Sequence, residues 1–179
     1  DAVKVYTFKV KFGEETDTLD PNGRIIKRCW YQPTDDEIVK ILPQFVGTIE
    51  QAPPIYSAIH IDGERAYKLV KKNPWVTVPN RYVNVYNLIY LGNHTFRCIC
   101  GRGTYIRSIA RDMSSALGTC GYAAYLRREQ VSFLHPKHAL TIDKVEELVY
   151  NGAIDGVILP IDAALTDTSA VSLDDATIL

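Results

Sequence analysis

Residues Val3 to Phe12 alternate along their whole length. Tyr6, Phe8, Val10 and Phe12 fall on one side, and Val3, Val5, Thr7, Lys9 and Lys11 on the other. That period of two predicts a strand with one face on a core. Gly13 to Gly23 is acidic and rich in turn formers, with Asp20-Pro21-Asn22-Gly23 a turn signal. Ile25 to Tyr31 reads as a second strand, paired with the first. Thr34-Asp35-Asp36-Glu37 is a capping box opening a helix that Pro43 ends. Ala52 to Ala58, with its double proline, is extended. A short strand over Ser57 to Ile61, a turn at Asp62-Gly63 and a helix over Glu64 to Lys72 follow. Arg81 to Leu91 and Thr95 to Cys100 form a hairpin across Gly92-Asn93. In its second strand Phe96, Cys98 and Cys100 share a side. From Thr104 the period becomes helical, with Ile106, Ile109, Ala110, Met113 and Leu117 on one face and Gly118 as the stop. Tyr122 to Phe133 ends in a strand. Thr141 caps a last helix to about Tyr150, and Val157 to Ile161 is an apolar segment suited to docking.

This order of strands and helices is that of an α/β (α+β) chain. Its 179 residues suit one domain with a substantial core and a tail. No apolar run is long enough to span a membrane, and the N-terminus has no signal-peptide pattern, which favours a cytoplasmic protein. The chain opens directly on a strand without an initiator methionine, so it is expected to start within a domain. Cys29, Cys98, Cys100 and Cys120 have no zinc spacing and read as buried free thiols. Residues 1–140 hold 19 Lys and Arg against 13 Asp and Glu, net +6; residues 141–179 hold 1 against 8, net −7. A basic body with an acidic tail keeps an RNA or phosphate partner open.

Several residues are candidates for chemistry. Arg107 lies in the first turn of a helix, where a cation is disfavoured by the backbone dipole unless an anion is near. It either holds a carboxylate or phosphate or is a solvated surface arginine. Tyr6 reads from its pattern as a core aromatic with its hydroxyl at the rim. Asp17 and Asp20 form a carboxylate pair, but aspartates in such a turn commonly bond their own backbone. The helix of Ala66, Tyr67, Leu69 and Val70 carries Arg65, Lys68, Lys71 and Lys72 opposite: an arm for an RNA backbone or a solvated face.

Four stretches, in order, resemble the TruB family of tRNA pseudouridine synthases. They are Lys4-Val5-Tyr6 with Phe12-Gly13-Glu14-Glu15-Thr16-Asp17-Thr18-Leu19-Asp20 and Gly23; Gln51-Ala52-Pro53-Pro54-Ile55-Tyr56-Ser57-Ala58 with Gly63, Arg65, Ala66 and Tyr67; Gly103-Thr104-Tyr105-Ile106-Arg107; and Tyr125-Leu126-Arg127-Arg128. The resemblance covers roughly residues 1–165, with 166–179 an acidic linker. It implies a mixed, largely antiparallel central sheet with flanking helices. It also implies isomerisation of uridine-55 in the T-loop of tRNA, without metal or organic cofactor, by a monomer. Tyr6 would stack on the flipped base, Arg107 would pair with the catalytic carboxylate, and Tyr105 and Leu126 would complete the pocket. Lys4, Arg65, Tyr67, Lys68, Arg127 and Arg128 would contact RNA, and residues 50–75 would form an RNA-gripping thumb loop.

The family nucleophile belongs to a Gly-x-Leu-Asp-Pro-x-Ala-Thr-Gly motif upstream of the Lys-x-Tyr strand. Leu19-Asp20-Pro21 looks like it but sits in the Thr-Asp-Thr-x-Asp loop, so the nucleophile is expected outside these residues and the polypeptide alone is expected to be inactive. The C-terminal RNA-binding domain of many members is also not expected here. His60, where lysine is usual, and Glu129 are smaller departures, and Glu129 is positioned to pair with an arginine. The alternative reading is a non-catalytic RNA-binding module of the same fold. A small-molecule enzyme using Asp17 and Asp20 is disfavoured, since no phosphate loop, metal set or nucleophile–base pair accompanies them.

Overall fold

The alternation at the N-terminus becomes strand β1 (Lys4–Phe12), which buries Phe8, Val10 and Phe12 and leaves Tyr6 half-buried. The computed structural model describes residues 2–73 and 76–159. Gly13, at φ 90°, turns the chain out of β1 into β2 (Glu14–Thr16), and β3 (Ile25–Arg28) pairs antiparallel with β2, Glu14 opposite Arg28. The second strand was expected to pair with the first. The turn at Gly13 prevents this, because the chain leaves the sheet before it reverses, and β3 ends at Arg28.

Helix α1 (Asp35–Ile41) starts with both halves of the capping box formed, and a 3-10 turn at Leu42–Phe45 takes in Pro43. Strand β4 (Gly47–Gln51) follows. The expected strand over 57–61 shortens to β5 (His60–Ile61), which pairs with β6 (Glu64–Arg65) around Asp62-Gly63. Helix α2 (Ala66–Lys72) therefore begins two residues later than its periodicity suggests, since Glu64 and Arg65 are committed to that hairpin. Strands β7 (Arg81–Gly92) and β8 (Thr95–Cys100) form the predicted hairpin, with Asn93 and His94 both at positive φ. Helix α3 (Ile106–Ala116) and strand β9 (Gly121–Val131) complete this part.

The main sheet has the order β4-β7-β8-β1-β9. The β4–β7, β7–β8 and β1–β8 pairs are antiparallel. One core joins Phe8, Val10, Phe12, Ile38, Val85, Phe96, Cys98, Cys100, Ile109 and Met113. The predicted inner faces of β8 and α3 are the ones buried. Removal of such apolar surface from water is the main stabilising term.

The described residues fall into two compact units that divide after Glu129. In the second, Thr141 caps α4 (Ile142–Tyr150) through Lys144 N–H. Val157, Ile158 and Leu159 are exposed. Pro160 and Ile161, the rest of that apolar segment, lie outside the described residues, as does the linker at 166–179.

The cysteines need a correction. Cys98 and Cys100 are free and buried, but Cys29 and Cys120 are joined in a disulfide, their Cα atoms 5.8 Å apart across 91 residues of sequence. The cause is tertiary. Gly13 N–H donates to Cys120 C=O, Cys29 N–H donates to Gly13 C=O, and the two cysteines meet around that glycine.

Candidate active site

The site assembles where α3 begins. Gly103, at φ 83°, takes a left-handed turn that favours glycine, and Thr104 Oγ1 donates to Gly101 C=O at 3.2 Å. Tyr105 then occupies the position before the first helical residue, in an extended conformation and without a side-chain cap. Arg107, two residues on, points into the first unit. Its Nη1 donates to Thr18 C=O at 2.6 Å and to Asp20 Oδ2 at 3.0 Å, and its Nη2 donates to Tyr56 C=O at 3.0 Å. Of the two readings of Arg107, the one in which it holds a carboxylate describes the structure.

Asp20 has two roles at once. Oδ1 accepts from Thr18 Oγ1 at 2.8 Å and from Asn22 N–H at 3.0 Å, the turn role its sequence predicts. Oδ2 is turned to Arg107, 87 residues away in sequence. Its side chain is 26% exposed and that of Arg107 19%, so the pair is shielded on most sides. Charge-assisted bonds of this kind are stronger and more directional than neutral ones. Asp17 is used differently: Oδ1 accepts from Arg24 N–H at 2.9 Å, closing the loop.

The backbone that presents Asp20 is constrained. Leu19 lies at φ 60°, where a side chain is disfavoured by about 1–2 kcal/mol. It is held there by burial of its side chain and by its carbonyl, which accepts from Ala123 N–H of β9 at 3.2 Å. Thr16 Oγ1 adds a bond to Asp20 C=O at 2.7 Å. At Gly23 an added Cβ would stand 2.9 Å from Thr18 N, so the loop closes only around glycine.

Beside this pair lies a cavity of about 270 Å³ lined by Tyr6, Thr104, Tyr105, Ile106, Arg107 and Leu126. Sequence reasoning chose four of these six, and the structure brings them together from β1, α3 and β9. Burial lifts the Tyr6 phenol above its ordinary range, and a hydrogen bond from Arg128 partly offsets that shift. The phenol is therefore neutral at physiological pH. Tyr6 is both core and wall, as half-burial at the edge of the core cluster requires.

The expected RNA contacts are distributed outside the cavity. Lys4 Nζ donates to Ala2 C=O, and Arg65 Nη1 to Ala58 C=O at 3.3 Å. Lys68 is exposed and Tyr67 is at the surface. Arg127 pairs with Glu129 at 3.3 Å, the pairing its sequence position suggests. No group of three or more His, Cys, Asp or Glu arranged to hold a metal occurs among the described residues.

Sequence reasoning passed over Gln51 and Arg81. Gln51 belongs to the thumb stretch by its motif, but its side chain is buried at the foot of that segment. Its Nε2 donates to Tyr105 C=O at 3.1 Å, and its Oε1 accepts from Tyr105 N–H at 2.8 Å. Arg81 places its guanidinium 4.9 Å from the centre of the Tyr105 ring. Neither carries a local signal, because both partners are remote in sequence.

The architecture recurs in solved structures. A Cbf5-Nop10-Gar1 complex contains a chain that superposes with a TM-score of 0.63 at 20% identity, over 91% of this chain and 43% of that one. A chain of an H/ACA RNP bound to a substrate RNA containing 2'-deoxyuridine gives 0.55 at 18% identity, over 86% of this chain and 36% of that one. At such identities the likeness is one of fold. Sequence similarity narrows it. Residues 1–106 match the model of the TruB family pseudouridylate synthase (N terminal domain), and residues 107–166 that of the tRNA pseudouridylate synthase B C-terminal domain. The chain belongs to the TruB family. It is 44% identical to tRNA pseudouridine synthase B of Ehrlichia ruminantium (strain Gardel) over 181 aligned residues, covering 98% of this chain and 60% of that protein. It is 40% identical to the protein of the same name from Borreliella burgdorferi (strain ZS7), over 80% of this chain and 53% of that protein. The chain thus spans little more than half the length of these curated relatives.

Proposed function

We propose that the chain forms the larger part of the catalytic domain of a tRNA pseudouridine synthase that converts uridine-55 of the T-loop. The observation that carries this reading is the Arg107–Asp20 pair set beside a cavity walled by Tyr6, Tyr105 and Leu126. The chain's membership in the family, and the names of its relatives, point the same way. A uridine drawn out of its stack costs about a few kcal/mol. Stacking on Tyr6, with Leu126 and Tyr105 enclosing the base, returns about 1–3 kcal/mol. In the reaction the bond from C1′ to N1 breaks, the base rotates, C1′ joins C5, the hydrogen of C5 leaves to solvent as a proton, and N1 takes up a proton.

The nucleophile of this reaction is a carboxylate supplied from outside residues 1–179. Asp20 is unsuited to it. Oδ1 is held by two donors and Oδ2 by a guanidinium, and Asp20 is not among the residues that line the cavity. Its role is to fix Arg107, whose place in the cavity lining allows it to orient a second carboxylate. Lys4, Arg65, Lys68, Arg127 and Arg128 grip phosphates, and binding should weaken steeply with salt as condensed counterions are released.

The test is tritium release from a T-arm stem-loop carrying 5-tritiated uridine. The 179-residue polypeptide is expected to bind it without release, and to release tritium once an upstream segment with the Gly-x-Leu-Asp-Pro motif is supplied. Release by the polypeptide alone would return Asp20 and Asp17 to candidacy as nucleophile. Binding without release in either arrangement would favour a non-catalytic RNA-binding module.

A further inference from the structure

Tyr105 breaks a local rule. The residue before the first helical position is usually Ser, Thr, Asp or Asn, whose side chain satisfies a free N–H of the helix. Tyr105 satisfies none. Departures of this sort are expected where function sets the residue, with stabilisation supplied from elsewhere. Here the supplier is visible. The Gln51 side chain, 1% exposed, spends both ends of its amide on the backbone of this one residue: Oε1 accepts from Tyr105 N–H at 2.8 Å, and Nε2 donates to Tyr105 C=O at 3.1 Å. That amide does for Tyr105 what a neighbouring strand would do.

Gln51 does not act alone. It ends β4, and directly opposite it in the β4–β7 register stands Arg81. The Arg81 guanidinium lies 4.9 Å from the Tyr105 ring centre, within the range of a cation–π contact, while its buried Nε has no hydrogen-bond partner. A buried donor left unpaired is costly, and it is tolerated here in a side chain laid across an aromatic face. The neighbouring residues continue the seam: Ala52 C=O accepts from Ser108 Oγ at 2.8 Å and from Arg111 Nη2 at 2.9 Å.

We propose that Gln51 and Arg81 are positioning residues for Tyr105, the first fixing its backbone and the second the plane of its ring, so that the ring stands in the cavity before RNA arrives. Resting on the functional reading above, this adds two residues that act on the reaction only through Tyr105. Remote displacement of a positioned group by about 1 Å can lower a rate by about 100-fold.

The test has one readout independent of activity. Fluorotyrosine at position 105 of the 179-residue chain reports the ring's surroundings by fluorine NMR. Arg81→Met and Gln51→Met should each move or broaden that resonance. Arg81→Lys, which keeps a cation over the ring, should restore most of it, whereas Gln51→Glu, which keeps the acceptor for Tyr105 N–H but sets a second acceptor against Tyr105 C=O, should not. In the protein supplied with the upstream segment, Arg81→Met should lower the single-turnover rate of tritium release by about 10- to 100-fold. Affinity for the T-arm stem-loop should stay within about threefold, because Arg81 holds the ring without gripping RNA. An unmoved resonance in both methionine variants overturns the proposal. So does a loss of rate matched by an equal loss of affinity. If the wild-type protein with its upstream segment releases no tritium, the functional reading falls, and the fluorine resonance still decides the positioning.

Discussion

Helices α1 and α3 begin in opposite ways. The start of α1 is solved within four residues: Glu37 N–H donates to Thr34 Oγ1, the Glu37 carboxylate accepts from Thr34 N–H at 2.8 Å, and Asp35, Asp36 and Glu37 suit the positive end of the dipole. The start of α3 has no cap of its own and carries a cation where the dipole disfavours one. Its backbone is held by Gln51 from 54 residues away, and its arginine is neutralised by Asp20 from 87 residues away. A locally capped end serves stability. An end that depends on remote partners gathers an arginine, a carboxylate and an aromatic ring at one cavity, and it forms only when the fold is complete.

The contrast can be broken most severely at Arg107. Arg107→Met leaves Asp20 Oδ2 and the carbonyls of Thr18 and Tyr56 without this donor. A loss of about 2–3 kcal/mol in chemical denaturation is expected, from the worth of hydrogen bonds to charged groups. A fall of about 100-fold or more in single-turnover tritium release should accompany it in the protein supplied with its upstream segment. Arg107→Lys should fall between, since a point charge cannot reproduce three directed bonds.

Gly23→Ala should come next. The new methyl meets the backbone of Thr18 and pushes the loop bearing Asp20, at about 1–3 kcal/mol, with release reduced alongside. Thr34→Ala sharpens the comparison from the other side. It should cost about 1 kcal/mol and leave tritium release unchanged, since nothing at the cavity depends on α1's cap. Loss of release in Thr34→Ala would show that the two helix starts are coupled.

The smallest effect is a pH dependence confined to α1. Hydrogen bonds from Tyr31 and from the Thr34 backbone and side chain hold Glu37 down at about 2. The folded value lies below the unfolded one, so its contribution is full above the ordinary glutamate value and fades as pH falls from about 4.5 towards 2. Thermal melts of Glu37→Gln should show a shallower slope over that window than the parent chain. Equal slopes would mean that Glu37 is not held by the cap.

Much of this was legible in the chain because it is local. The alternation at Val3 to Phe12 and Thr95 to Cys100, the change to a helical period after Thr104, and the Thr34–Glu37 capping box each involve neighbours a few residues apart. The burial of Phe8, Phe96, Ile109 and Met113 follows from them. Family motifs placed Tyr6, Tyr105, Arg107 and Leu126 together, and the cavity contains all four.

Where the sequence reading fell short, the deciding contact was distant. Ile25 to Arg28 is a strand, as its sequence suggests, and only the turn at Gly13 sends it to β2 rather than β1. Cys29 and Cys120 have no spacing to suggest a bridge until Gly13 brings both into reach. Asp20 looked like a turn residue and is one, but its second oxygen was assigned only when α3 came to lie beside the loop. A period or a cap is fixed by bonds along the chain, and so by sequence alone. The partner of Arg107, the clamp on Tyr105 and the pairing of the cysteines depend on which segments the closed core presses together, and that only the tertiary structure decides.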